Sequence, residues 1–204
     1  MTTRLLPTDA LAESQRLIAT LEQLREELPF ADDILAVHRP THQELETSYM
    51  KSEQAVSAWR AALARRWDSE IAGRRLYKRI LGQLARHYGS ASAPEVQALS
   101  RGEAEVNSSP AELLTDLRRL QAALSISSAT LDFAHERLPE LDQTCAALEA
   151  AISEANVRET QRRVAVLDSR MASDAYQRAR SETRRMLVAH YGDRLASRLG
   201  DLLE

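Results

Sequence analysis

The chain has 204 residues, 30 acidic and 27 basic side chains for a formal net charge of −3, and 44% hydrophobic but only 4% aromatic residues. That balance is too apolar for a disordered polymer, and its slight acidity argues against a general polyanion-binding surface. One cysteine excludes a disulfide framework, and no apolar run approaches the ~20 residues that a membrane-spanning helix needs.

A chain this long buries roughly 70% of its unfolded surface, so a single helical domain over 1–204 needs no staple. Met1 to Pro7 passes directly into Thr8-Asp9 and a polar helical pattern with no apolar core of a secretion signal, which points to the cytoplasm. Leu11, Ile18, Leu21, Leu24 and Leu28 recur at three/four spacing and predict an amphipathic helix that continues, kinked at Pro29, to about Val37. Pro40 then restarts the chain. A longer helix is predicted from about Thr41 to Tyr88, with one stripe of Leu45, Tyr49, Val56, Trp59 and Leu63 and another of Tyr77, Ile80, Leu84 and His87. Trp59, Trp67 and Tyr77 have spacings that suit a core. The two stripes are in phase at heptad, coiled-coil-like spacing, but the seam between them falls on Arg66 and Glu70, so a break at 66 to 70 is the alternative.

Residues 90 to 109 are rich in Ser, Ala, Gly and Glu and read as a linker, with one short helix around Pro94 to Ser100. Ser109-Pro110-Ala111-Glu112 then supplies an N-cap, a proline at the first helical position and the glutamate of a capping box. Leu113, Leu117, Leu120 and Leu124 continue that helix, which is predicted to reach about Arg137, with Pro139 restarting the chain. The last helix is predicted from about Glu140 to Tyr191. It carries Leu141, Cys145, Leu148, Ile152 and Ala155 on one face, and Val164, Leu167 and Met171 on a neighbouring face that suggests a bend or break. Cys145 falls on the apolar stripe and reads as a buried core residue.

These elements recur. Residues 7 to 89 align with 110 to 192 without a gap, at an offset of 103 residues. Identities run from Pro7/Pro110 through Leu17/Leu120, Leu21/Leu124, Leu28/Leu131, Leu45/Leu148 and Leu84/Leu187, and close on His87-Tyr88-Gly89 against His190-Tyr191-Gly192. A helical hairpin cannot bury its apolar faces alone, whereas two copies can bury them against each other. The predicted fold is all-α: a duplicated helical hairpin forming a four-helix bundle with approximate two-fold internal symmetry, with three shorter helices per copy as the alternative.

Signals for chemistry are few. The His-Tyr-Gly endings suit helix stops, with glycine closing the last turn and histidine favoured at the C-terminal end of the dipole. The duplication leaves open whether His87 and His190 meet. The nearest approach to a Glu-x-x-His metal motif is Asp132-Phe133-Ala134-His135, and its copy Pro29-Phe30-Ala31-Asp32 lacks the histidine. His38 and His42 have the spacing of a helical ligand pair, but Pro40 between them argues against a regular helix there. Cys145 has no neighbouring histidine, and no phosphate-binding glycine loop occurs. No catalytic, cofactor-binding or metal site is therefore assigned.

Charge is more informative. Acid-rich first segments precede arginine-rich ones in both copies: Arg60 to Arg86 in one and Arg158 to Arg185 in the other. Paired across neighbouring helices, these give surface ion pairs of small individual value. Gathered together, Arg74, Arg75, Arg79, Arg178, Arg184 and Arg185 form a candidate polyanion-binding set. The expectation is a non-enzymatic, cytoplasmic helical-bundle protein acting through a protein partner or self-association, as a scaffold, adaptor or oligomer. A nucleic-acid or polyanion binder is the alternative, and a metal- or small-molecule-binding bundle stands third.

Overall fold

The structure, a computed structural model, describes residues 7–28, 30–100 and 109–191. It is all-helical, with five helices: α1 (Pro7–Gln23), α2 (Ala31–His87), α3 (Pro94–Ser100), α4 (Pro110–Ile126) and α5 (Ala134–Tyr191). No helix is long and apolar enough to cross a membrane among the described residues. The first helix of each copy stops well short of the predicted Val37 and Arg137. In α4 the cause is local: Ser128 and Thr130 donate their hydroxyls to the carbonyls of Ser125 and Ser127, and such hydroxyls compete with the helical ladder. The kink expected at Pro29 lies outside the described residues.

Each long helix then starts earlier than expected and runs through its proline. Pro40 and Pro139 lie inside α2 and α5. An interior proline costs about 3 kcal/mol, but each fully buried leucine contributes about 1.5–3 kcal/mol. Leu35 and Leu45 flank Pro40, Leu141 and Leu148 follow Pro139, and all four are buried, so packing outweighs the break. The carbonyls deprived of a donor belong to Ala36 and His135, both on exposed turns where water can reach them.

The break considered at 66 to 70 does not occur. Glu70 is buried at the seam and held by Arg66 at 3.1 Å and Arg74 at 3.7 Å, each four residues away along α2. The charge is thereby compensated within the helix and the ladder continues. α5 is likewise unbroken, and Val164, Leu167 and Met171 face solvent. Its inward face carries the small polar Ser169 and Ser173 beside Ala172 and Tyr176 instead. Trp67, read as core, is 63% exposed, whereas Tyr77 is buried.

The chain forms two compact units, each of which draws on both predicted repeats. Unit 1 comprises Met1–Ser57 with Thr160–Glu204, and unit 2 comprises Ala58–Glu159. In unit 1, α1 packs with residues 31–57 of α2 and 160–191 of α5; Leu17, Leu21, Ala31, Ile34, Leu35 and Leu187 form one cluster, and Ala10, Leu45, Ala172 and Tyr176 another. In unit 2, α4 packs with residues 58–87 of α2 and 134–159 of α5 around a single cluster that includes Leu76, Ile80, Leu84, Leu113, Leu120 and Leu148, and α3 adds Val96. Three helical segments thus enclose the core of each unit. The 90–109 linker contains α3 as expected, and residues 101–108 lie outside the described residues. Cys145 is buried and unpaired with another cysteine, as its place on the apolar stripe required.

Candidate functional site

Pro7 and Pro110 open α1 and α4, and Ala31 and Ala134 open α2 and α5, at the 103-residue interval of the sequence alignment. Counterparts at that interval allow the two cores to be compared residue by residue. Leu17/Leu120, Leu21/Leu124, Leu45/Leu148 and Leu84/Leu187 are buried in both units. At three of the differing positions, buried apolar side chains of unit 2 stand opposite buried polar ones of unit 1.

In unit 2 these positions are Leu117, Leu141 and Ile80, all fully buried. Their counterparts in unit 1 are Ser14, His38 and Thr183, also buried. His38 Nε2 and the Thr183 hydroxyl lie 2.8 Å apart, and His42 Nδ1 and the Ser14 hydroxyl 3.0 Å apart. His38 Nδ1 is buried without a hydrogen-bond partner among the described residues. Burial pushes the His38 pKa below the ordinary histidine value. Tyr176, fully buried, stands edge-on to His38 at 6.2 Å and donates to Glu13 Oε1 at 3.4 Å. Its phenol is pushed up by burial and then by the Glu13 carboxylate. Arg180 Nε lies 2.6 Å from the same carboxylate oxygen, with its N–H off the line of contact.

Volume is exchanged along with polarity. Tyr176 is the counterpart of Gly73, against which Leu113 and Leu117 pack; a Cβ on Gly73 would stand 3.1 Å from Leu117 Cδ1. In unit 1 those leucines become Ala10 and Ser14, which leaves room for the tyrosine ring. Each unit fills the same space with one large and two small groups, or the reverse.

Beside this core lies an open groove of about 770 Å³, bordered on α2 by Pro40, Glu44 and Lys51 and on α5 by Val164, Asp168 and Met171. Val164, Leu167 and Met171 are 55%, 55% and 61% exposed. The counterparts of Asp168 and Lys51 in unit 2 are Arg65 and Glu154, which form a bidentate pair through Nε at 3.2 Å and Nη2 at 2.7 Å. That pair ties α2 to α5. In unit 1 neither Lys51 nor Asp168 has an ion-pair partner among the described residues, and the groove between them stays open.

The residues singled out from sequence fall in separate places. Arg74 and Arg79 are engaged, by Glu70 of the same helix and by Glu140 of α5 at 2.8 Å. Arg75 is exposed in unit 2. In unit 1, Arg178 donates to the Asp174 carbonyl at 3.3 Å and, with Arg185, borders a shallow polar depression that also holds Asp174 and Glu182; Arg184 is exposed. Other arginines pair outside the predicted polarity: Arg39, which lies in neither arginine-rich stretch, with Glu22, and Arg118 of α4 with Glu149 of α5, both at 2.7 Å.

His87 belongs to unit 2, with its ring edge-on to Tyr88 at 4.9 Å, and the helix stops before Gly89 at φ 80°. That is the left-handed conformation expected of a helix-ending glycine. His190 belongs to unit 1 and packs edge-on against Phe30 at 4.8 Å; Gly192 lies outside the described residues. His38 and His42 share one continuous helix despite Pro40, which corrects the reading that the proline separates them. Among the described residues no three His, Cys, Asp or Glu side chains gather as a metal would require.

Ser14 and His42 have the atoms of a nucleophile and base, but Ser14 has no solvent-accessible surface, so its hydroxyl is closed to a substrate in this conformation. Burial raises the Cys145 pKa and keeps that thiol protonated. The polar core was missed in the sequence because polar residues at single positions look like surface. Its signal was nevertheless present in the alignment, where Ser14, His38 and Thr183 stand opposite Leu117, Leu141 and Ile80. Comparison with protein-family models, curated proteins and solved structures finds no match to this chain.

Proposed function

We propose that this is a non-enzymatic, cytoplasmic helical protein that works through protein contacts, as a scaffold, adaptor or oligomer, with the groove of unit 1 as its docking surface. The observation that carries this reading is the exposure of Val164, Leu167 and Met171 together on α5, in and beside an open groove. Contiguous exposed apolar groups of this kind mark interaction sites on soluble proteins more often than chance surface. The duplicated, two-fold-related hairpin belongs to the same proposal. It is supported by the common 103-residue interval between helix starts, the shared buried leucines and the compensated exchange of Gly73 and Tyr176.

The test is affinity capture from the native host with the wild-type chain and with Met171→Glu, which places a charge in the groove without touching the core. A partner retained by wild type and lost by the variant is expected. Equal capture by both would sink the reading. The alternative, polyanion binding, draws on Arg75, Arg178, Arg184 and Arg185, and is weakened by the engagement of Arg74 and Arg79 with carboxylates. A metal- or small-molecule-binding bundle remains the third reading, and no ligand set among the described residues favours it.

A further inference from the structure

We infer that the partner which fits the groove of unit 1 is a second copy of this chain, bound through the same surface about a two-fold axis. This rests on the protein-contact reading above and narrows it to one occupant.

The argument is one of charge and shape. Lys51 and Asp168 stand on opposite banks of the groove, on α2 and α5, and neither has an ion-pair partner among the described residues. In unit 2 the same two positions carry opposite charges of exchanged sign, and there they meet: Arg65 grips Glu154 with both nitrogens of its fork. A lysine and an aspartate that border one groove unpaired form a self-complementary surface. Under two-fold rotation Lys51 of each copy faces Asp168 of the other, and both charges are satisfied at once. Such isologous contacts are the commonest way for identical chains to associate, because each favourable pair is made twice. The same rotation brings the exposed Val164 and Met171 of the two copies together across the axis, removing apolar surface from water. Glu44 also lines the groove, on its α2 bank. A standard stable interface uses ~20–30 residues a side, more than this patch supplies, so association in the micromolar range is expected.

The experiment uses three full-length chains: wild type, Lys51→Glu and Asp168→Lys. All substitutions are at exposed positions, and circular dichroism checks that helicity is unchanged. Sedimentation equilibrium from about 1 µM to about 1 mM should find a monomer–dimer equilibrium for wild type. Each single reversal places like charges opposite one another and should weaken self-association at least tenfold. The informative sample is the mixture. One reversed chain presents two acids and the other two bases, so mixed dimers should form at least as readily as wild-type dimers, and native mass spectrometry distinguishes them by mass. Pairing of Lys51 with Asp168 inside one chain cannot produce that result. Wild type that stays monomeric throughout overturns the inference, as do single reversals that dimerise like wild type or a mixture that does not associate. If wild type is monomeric yet captures another protein in a manner lost with Met171→Glu, the homodimer is excluded while the broader protein-contact reading stands.

Discussion

His38 is fully buried, bonded through one ring nitrogen to Thr183, and accepts no charge-compensating carboxylate. Its ring meets Thr183 and Tyr176 of α5, and the carboxylate of Glu13, on α1, is shared by Tyr176 and Arg180. Because burial lowers the His38 pKa in the folded state, the unfolded chain takes up a proton first, at about pH 6.5. Stability contributed by neutral His38 is therefore complete above that pH and falls as pH drops towards the lower folded value. The expected outcome is a urea midpoint that declines below about pH 6.5 more steeply in wild type than in His38→Leu/Thr183→Ile, which installs the unit 2 solution. Equal pH slopes would refute it. The exchanged volumes give a second outcome: Tyr176→Ala should cost about 3–5 kcal/mol. Gly73→Tyr should cost about 1–3 kcal/mol or more by overpacking, and adding Leu113→Ala and Leu117→Ser should recover part of that loss in the same denaturation assay.

At the scale of the element, α2 stays continuous because Glu70 is neutralised by arginines one turn away on either side. Arg66 and Arg74 are each about a third exposed, so removing the carboxylate leaves them able to turn to water, and Glu70→Ala should cost about 1–2 kcal/mol. Glu70→Leu, which fills the site with an apolar group, should be near neutral or stabilising; a loss above about 3 kcal/mol with either variant would mean the ion pairs hold more than this account allows. Much of this was legible in the sequence. Heptad leucines, the Ser109 cap and the ungapped repeat gave an all-helical chain with the right pairs of core positions. The element boundaries were not, because Pro40 and Pro139 are strong local breakers, and only the burial of the leucines around them, a tertiary effect, decides that the helices continue. The exposed face of Val164, Leu167 and Met171 was equally hidden: apolar periodicity says that residues share a face, and only the placement of Ser169 and Ser173 inside shows which face is covered.

For the molecule as a whole, the arginine-rich segments separate the two leading readings. Binding to nucleic acid releases condensed counterions and so weakens steeply as salt rises. With Arg74 and Arg79 occupied by Glu70 and Glu140, mobility-shift titrations with single- and double-stranded DNA and RNA near physiological salt should show negligible binding. Tight, salt-sensitive binding abolished by charge reversal at Arg75, Arg178 and Arg185 would instead establish the polyanion reading. The discontinuity of unit 1 has a consequence of its own for biosynthesis. Unit 2 is one uninterrupted stretch, Ala58–Glu159, whereas unit 1 joins Met1–Ser57 to Thr160–Glu204. During vectorial synthesis from the N-terminus, unit 2 can collapse as soon as it leaves the ribosome, while α1 and the start of α2 must wait, with Leu17, Leu21 and Leu45 uncovered, until the last segment emerges. The segment made first is thus packed last, and its apolar side chains stay uncovered while more than a hundred intervening residues are translated.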